Sequence, residues 1–308
     1  MPLPPVGRML ALAAGTAIVA GRGTWDVVQS HERTLRQDVY RAGEGCHRAY
    51  LDTRRRAGRG LYHRVVLALE RRVFARTSRI VAISRAGADE IARLYRVAPD
   101  RLTTIYNGVD LDRFHPDNRG RHRRAARAEA GVPDEAWQLL FVGSGFARKG
   151  LDTAIEALAT AGDPGARLLV TGKGYPAPYV SLAERLGVGA RVSWLGPRQD
   201  IERWYAAADV VVLPTRYEPF GNVHLEALAS GVPVVTSTRA GGAELIEPGR
   251  NGAVAEPDDP RAFGRALDEV RAAAGEGQRA AARRSAEPFT YGRQVAEFEA
   301  LWHRLGRA

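Results

Sequence analysis

The sequence predicts an α/β protein of doubly wound parallel sheets, and three observations carry that expectation. Short aliphatic runs such as Gln138-Leu139-Leu140-Phe141-Val142 alternate along most of the chain with stretches whose apolar residues recur at helical spacing. Several runs end in glycine, asparagine or another turn former, as parallel strands do where they hand over to a crossover helix. The chain has 308 residues, 45% of them hydrophobic, enough for two domains with cores of their own. The single cysteine, Cys46, leaves no intramolecular disulfide framework and suits a reducing compartment.

Taken in order, residues 9–20 (MLALAAGTAIVA) are apolar but fall short of the roughly 20 needed to span a bilayer. They predict a buried helix feeding the next strand rather than a signal-peptide core. Residues 25–30 read as a parallel strand whose carboxyl end delivers His31. A helix is expected over 61–76, a strand over 79–83, and a helix to residue 94 with Ser84 as its N-cap. A strand over 102–106 closes on Asn107-Gly108. Residues 113–130 are densely charged without a hydrophobic period, which predicts a domain boundary carrying a solvated connecting helix.

The second half is more regular. Strands are expected at 138–142, 167–171, 191–195, 210–213 and 232–236, with helices at 150–161, 178–187, 199–207, 222–230 and 260–274. Residues 291–305 predict a last amphipathic helix with Phe298, Leu301, Trp302 and Leu305 on one face. The expected organisation is a first Rossmann-like domain over 1–112, a linker over 113–135 and a second Rossmann-like domain over 136–285. Residues 286–308 are expected to pack back toward the first domain.

A formal charge of +10 and a pI near 10.2 favour an anionic partner: nucleic acid, a membrane surface or a phosphorylated substrate. Nucleic acid is the weakest of these, because no aromatic residues alternate with the arginines of 113–130 as a stacking platform requires.

Ligands of open α/β sheets sit beyond the carboxyl ends of the strands. After residue 142 come Gly143-Ser144-Gly145-Phe146-Ala147-Arg148-Lys149-Gly150 and then a helix. Glycines permit close backbone approach, the helix start offers N–H groups, and two cations stand beside it, so the segment has the makings of a phosphate site. It is neither a Walker A loop nor a complete GxGxxG fingerprint. After residue 213 the sequence places Glu218 in a loop and Glu226 on the second turn of a helix that opens at Gly221-Asn222. The amides of Gly221 and Asn222 suit a phosphate and Glu226 suits ribose hydroxyls, which together describe a pocket for a nucleotide diphosphate sugar.

Glu218 to Glu226 form an E-x7-E element. With Pro219-Phe220-Gly221 and Ala227-Leu228-Ala229-Ser230-Gly231-Val232-Pro233-Val234 it closely resembles the retaining GT-B glycosyltransferases of family 4. Tyr106-Asn107-Gly108-Val109-Asp110 with Arg113-Phe114, Gly172-Lys173-Gly174, Leu195-Gly196-Pro197-Arg198 and Gly241-Gly242-Ala243-Glu244-Leu245-Ile246 follow that family's pattern in order, over about residues 25–308. Gly143-Ser144-Gly145-Phe146 with Lys149-Gly150, and residues 38–46 (DVYRAGEGC), are most similar to the lipopolysaccharide core glucosyltransferases of type I. Many relatives carry arginine where this chain has Ser144, so Arg148 is expected to compensate.

The resemblance implies a GT-B fold of two Rossmann-like domains. It implies retaining transfer of a hexose, glucose from UDP-glucose, to a saccharide acceptor such as the lipopolysaccharide inner core. Lys149 and Arg148 would neutralise the donor diphosphate without a metal or other cofactor. Glu218 with the amides of Phe220, Gly221 and Asn222 would hold the donor sugar and β-phosphate, Gly143, Ser144 and Gly145 would let the donor approach, Glu226 would bind the ribose, and main chain near Arg198 would read the base. His31, at a strand end, would either face the reaction centre or be a structural or solvent-facing histidine. The donor, a glycolipid or oligosaccharide acceptor and an anionic membrane surface are the expected partners, at the cytoplasmic face of the cell membrane. The family's first domain opens with a strand and a glycine-rich loop that residues 1–24 do not match, so the first domain is expected to be truncated by about three βα units of roughly 30 residues each. The alternatives are a catalytically inactive nucleotide-sugar-binding fragment, a sugar-nucleotide epimerase or phosphorylase of GT-B fold, and a nucleic-acid binder driven by charge.

Overall fold

The computed structural model describes residues 5–54 and 60–306; the outermost residues of the expected domains, and residues 55–59, lie outside that range. The chain divides into two compact units, Met1–Asn107 with Gly292–Ala308, and Gly108–Tyr291. Both are parallel α/β structures.

The first unit carries a four-stranded sheet, β1 (Gln29–Ser30), β2 (Val39–Arg41), β3 (Arg79–Ala82) and β4 (Leu102–Thr104), in that spatial order and parallel throughout. Helix α1 (Pro5–Arg22) precedes it, followed by α2 (His47–Asp52), α3 (Leu61–Arg76) and α4 (Arg85–Tyr95). The Ser84 hydroxyl accepts the Gly87 N–H at 2.9 Å, capping α4 as its sequence predicts. Two expectations are corrected here. The strand over 25–30 shrinks to Gln29–Ser30, and α1 is not buried: Leu10, Leu12, Ile18 and Val19 are exposed while Ala13 is buried. A helix apolar on every side gives no period from which to read a buried face.

Beneath the sheet the carboxylate of Glu70 is fully buried. It is satisfied by Arg33 at 3.0 Å, by the amides of His47 at 2.7 Å and Arg48 at 3.2 Å, and by the Tyr95 hydroxyl. The terminal helix of the chain, Tyr291–Leu305, buries Phe298 and Leu301 against Val39, Val81 and Ile105.

The second unit holds six parallel strands: β5 (Gln138–Val142), β6 (Arg167–Thr171), β7 (Val192–Gly196), β8 (Val210–Leu213), β9 (Val234–Ser237) and β10 (Gly252–Ala255). Their order is β10-β9-β8-β5-β6-β7. The chain runs outward from β5 to β7, then returns to place β8 on the other side of β5. That reversal makes the β5/β8 boundary the topological switch point, where the carboxyl-end loops part and leave a crevice.

Around this sheet lie α5 (Asn118–Glu129), α6 (Phe146–Lys149), α7 (Leu151–Thr160), α8 (Ala177–Arg185), α9 (Ile201–Ala207), α10 (Asn222–Ala229), α11 (Pro260–Ala272) and α12 (Glu276–Ala286), before the terminal helix α13 (Tyr291–Leu305). The helix expected over 150–161 is observed as α7, with the single turn α6 before it, whereas β10 and α12 have no counterpart among the expected elements.

The segment expected to be a solvated linker is the largest correction. Helix α5 packs on α9 as part of the second unit, and Arg127 is fully buried. Its guanidinium donates to the carbonyls of Ala207 at 3.0 Å, Asp134 at 2.6 Å and Ala136 at 2.8 Å, and to Asp209 at 2.6 Å. Arg119 and Arg123 reach the same aspartate at 3.1 and 2.9 Å. Dense charge goes inside when the guanidinium nitrogens find oxygen acceptors, and no hydrophobic period announces it.

Candidate functional site

The loops after β5 and β8 meet at the switch point, and the residue chemistry of both explains how. Gly145 takes a left-handed φ of 76°, and α6 follows as a single turn ending at Lys149. Gly150 then takes φ 73°, and a Cβ there would stand 2.0 Å from the Pro214 carbonyl oxygen, so only glycine lets the two loops touch. Contact is secured by the Arg216 N–H to the Arg148 carbonyl at 2.8 Å. Arg216 also reaches the Ala147 carbonyl at 2.6 Å and Asp152 at 2.8 Å. Ser144 ties the β5 loop to the β6 loop by accepting the Lys173 N–H at 3.1 Å.

Across this seam Lys149 Nζ lies 2.5 Å, and Arg148 Nη1 3.0 Å, from the same oxygen of Glu218, Oε2. Burial opposes the charged form of Glu218, but Lys149 and then Arg148 outweigh it and hold the carboxyl below its ordinary range. Eight positions on, Glu226 behaves in the opposite sense. Burial lifts its pKa above the usual value, only partly offset by the Tyr205 hydroxyl 2.8 Å from Oε2, by Arg113 and by Lys149. Among the described residues each glutamate is anchored through Oε2.

His224 lies between the two glutamates and holds the loop in shape. Nδ1 is 2.9 Å from the Gly221 carbonyl and Nε2 2.8 Å from the Thr236 hydroxyl. A carbonyl only accepts, so Nδ1 is assigned the proton, and the neutral ring accepts from Thr236 at Nε2. Burial lowers the His224 pKa to about 4, which keeps the ring neutral. The Gly241-Gly242 turn closes over it: Gly241 N–H meets the Glu218 carbonyl and Gly242 N–H the Phe220 carbonyl, both at 2.8 Å. A Cβ on Gly242 would fall 2.6 Å from the imidazole.

Of the residues singled out from sequence, the second unit therefore gathers Gly143, Ser144, Gly145, Arg148, Lys149, Glu218, Phe220, Gly221, Asn222 and Glu226 on the loops and helix starts at β5 and β8. Phe220 is fully buried, so its contribution is backbone, and Asn222 is exposed as the first residue of α10. Arg198 follows the edge strand β7. Its side chain is held by Glu129, by Asp200 at 3.3 Å and by the Trp204 ring at 4.6 Å. His31 belongs to the first unit, where its Nε2 is 3.1 Å from the Gln29 amide nitrogen. Sequence reasoning missed Tyr205, Arg216 and His224; His224 alone had a signal, lying inside the E-x7-E element. Among the described residues no group of three or more His, Cys, Asp or Glu side chains is placed to hold a metal ion, and no helix is long and apolar enough to cross a membrane.

Comparison with known proteins gives this geometry a context. Residues 136–272 match the family described as "Glycosyl transferases group 1", and residues 3–113 match "Glycosyltransferase Family 4". The chain is 36% identical over 211 residues to D-inositol 3-phosphate glycosyltransferase 1 of Catenulispora acidiphila, covering 64% of this chain and 50% of that protein. It is 36% identical over 235 residues to the D-inositol 3-phosphate glycosyltransferase of Saccharomonospora viridis, covering 70% and 54%. The chain thus spans about half the length of these curated relatives. Among solved structures it is similar to WaaG, a glycosyltransferase involved in lipopolysaccharide biosynthesis, with a TM-score of 0.80 and 26% identity over 93% of this chain and 80% of that one. HepE of Anabaena, solved in complex with UDP-glucose, shares the fold at a TM-score of 0.77 and 21% identity over 97% and 84%. Each half of the chain thus matches a glycosyltransferase family, the first unit family 4 and the second group 1, and the whole shares with WaaG the GT-B fold of two Rossmann-like domains.

Proposed function

We propose that the second unit is the donor half of a retaining hexosyltransferase that uses UDP-glucose. The observation that carries this reading is the convergence of Lys149 and Arg148 on Glu218 at the switch point, beside the start of α10. The donor diphosphate takes the two cations together with the amides of Gly221 and Asn222, and the Oε1 atoms of Glu218 and Glu226 accept hydroxyls of the sugar and the ribose. Transfer breaks the bond between the anomeric carbon and the β-phosphate oxygen, and the electron pair leaves with the phosphate. Lys149 and Arg148 stabilise that developing charge, the task a metal performs in other transferases. The acceptor hydroxyl bonds to the anomeric carbon on the same face, and its proton passes to the departing phosphate. Glu218 and Glu226 hold ligand, so they are not the carboxylate pair of a glycosidase.

The acceptor is an anionic polyol or saccharide. The lipopolysaccharide inner core is the reading supported by residues 38–46 and by likeness to WaaG. An inositol phosphate is supported by the relatives at 36% identity. Both carry the negative charge that suits a chain of net charge +10, and a glycolipid acceptor would place the protein peripherally at the inner membrane face. His31 is proposed to serve the acceptor side and main chain near Arg198 the base.

Calorimetric titration with UDP-glucose, UDP and GDP tests the donor reading. Selective UDP binding that a Lys149→Ala, Glu226→Ala double variant loses supports it; a folded chain that binds none of them overturns it. UDP release on adding inositol 3-phosphate or lipopolysaccharide core then separates the acceptors. Binding without release for any acceptor identifies an inactive nucleotide-sugar binder.

A further inference from the structure

Glu226 is held from beneath by a fully buried residue. Tyr205 sits on α9 and is fully buried, its ring edge-on to Phe114 with centroids 5.8 Å apart. Its hydroxyl is 2.8 Å from Glu226 Oε2. A buried phenol that keeps its proton is a fixed donor, and here burial and then the neighbouring Glu226 push the Tyr205 pKa well above its usual value. The carboxylate therefore always meets a donor on one oxygen and presents the other, Oε1.

We propose that Tyr205 is a positioning residue for nucleotide recognition: through Oε2 it keeps Glu226 ionised and turned so that Oε1 accepts a ribose hydroxyl. The inference rests on the donor-site reading of Glu226. A carboxylate in this setting needs such help. Burial favours its neutral form, and the charges that act on it are Arg113 and Lys149. Neither is dedicated to it. Arg113 is bound to Glu202 at 2.8 Å and to the Gln199 carbonyl at 2.7 Å, and Lys149 to Glu218 at 2.5 Å. The Tyr205 hydroxyl makes the one hydrogen bond to the Glu226 carboxylate among the described residues. A ribose site built this way discriminates by leaving the carboxylate unpaired when the sugar lacks a hydroxyl, which is the strongest form of polar selectivity.

The test compares UDP with 2′,3′-dideoxy-UDP on the full chain and on the Tyr205→Phe and Glu226→Gln variants, by calorimetry from pH 5 to 8. Wild type is expected to prefer UDP, and Tyr205→Phe to lose about tenfold of that preference, the scale of one hydrogen bond to a charged group. The acid limb of UDP binding is expected at higher pH in Tyr205→Phe, because the lost donor stabilised the carboxylate. Each preference is a ratio within one protein, so a smaller folded fraction in a variant cancels. An unchanged ratio and an unmoved acid limb in Tyr205→Phe, with Glu226→Gln losing the preference, overturn the role of Tyr205 and leave the donor site standing. Failure of wild type to distinguish the two nucleotides overturns the reading of Glu226 itself.

Discussion

Lys149 Nζ stands 2.5 Å from Glu218 Oε2, across two loops that the chain separates by 69 positions. The pair joins the loop after β5 to the loop after β8 and concentrates two cations, with Arg148, on a single carboxylate oxygen. Its pH sense follows from the direction of the shift. The folded Glu218 carboxyl titrates lower than in the unfolded chain, so its stabilisation is complete above the unfolded value of about 4.3 and is lost as pH falls through the folded value.

Removing the ammonium while keeping the carboxylate separates binding from structure. Lys149→Ala is expected to lower kcat for UDP-glucose-dependent transfer by about 10²–10³-fold, the usual effect of deleting a group aimed at developing charge. Glu218 keeps Arg148 at 3.0 Å, so the fold should persist. Steady-state kinetics beside a thermal melt check this; a variant that melts like wild type and turns over normally would remove Lys149 from the chemistry.

Gly150→Ala should damage the same seam from the backbone side. Two penalties combine, a left-handed φ of 73° and a Cβ placed 2.0 Å from the Pro214 carbonyl. Strain of that kind costs about 1–3 kcal/mol before the clash is counted. Denaturant unfolding should therefore show a loss of at least about 2 kcal/mol, whereas Gly277→Ala, where a Cβ meets nothing within 4 Å, should be close to neutral.

The parts of this protein that were legible in its sequence are those whose physics is local. Strands β5, β6 and β8 begin and end where the aliphatic runs do, because central parallel strands buried on both faces are continuous apolar segments. The glycine-rich loop and the two glutamates were legible for a similar reason: their residue types are unusual beside a strand end. The true extent of Gln29–Ser30 within 25–30 was not legible, nor was Val39–Arg41 at all, the two being two and three residues long with polar members. Nor was Arg127, since a guanidinium bound to carbonyls from 133–136 and 207 leaves no trace in periodicity. Tyr205 under Glu226, and His224 beneath Gly242, exist only once α9 and the 241–245 turn have closed on α10.

Arg127 should be a stability residue without a part in donor binding. Replacing the fully buried Arg127 by alanine takes the guanidinium donor from the carbonyls of Asp134 and Ala136 and one of two donors from Asp209 Oδ2, which keeps the Gln138 N–H at 2.9 Å. Breaking a buried pair in this way costs about 3–5 kcal/mol. Arg127→Ala and Asp209→Asn combined should lose less than the sum of the single changes. Additive losses in a double-mutant cycle would show that Arg119 and Arg123, not Arg127, satisfy Asp209.

His224 should make the second unit sensitive to mild acid. Its folded pKa is about 4 against 6.5 for the free side chain, so between those values the unfolded chain takes up the proton and the folded one does not. Stability from this group is therefore complete above about pH 6.5 and declines as pH falls toward 4, by about 2 kcal/mol at pH 5 from 1.36 kcal/mol per unit. His224→Asn keeps an amide donor for the Gly221 carbonyl and cannot titrate. It should be less stable than wild type at pH 7.5 and lose less on acidification, so that the two stability curves converge between pH 6.5 and 5. Curves that stay parallel across that window would mean that the folded ring takes up its proton as readily as the unfolded chain, with Thr236 then able to accept from Nε2 in their contact at 2.8 Å.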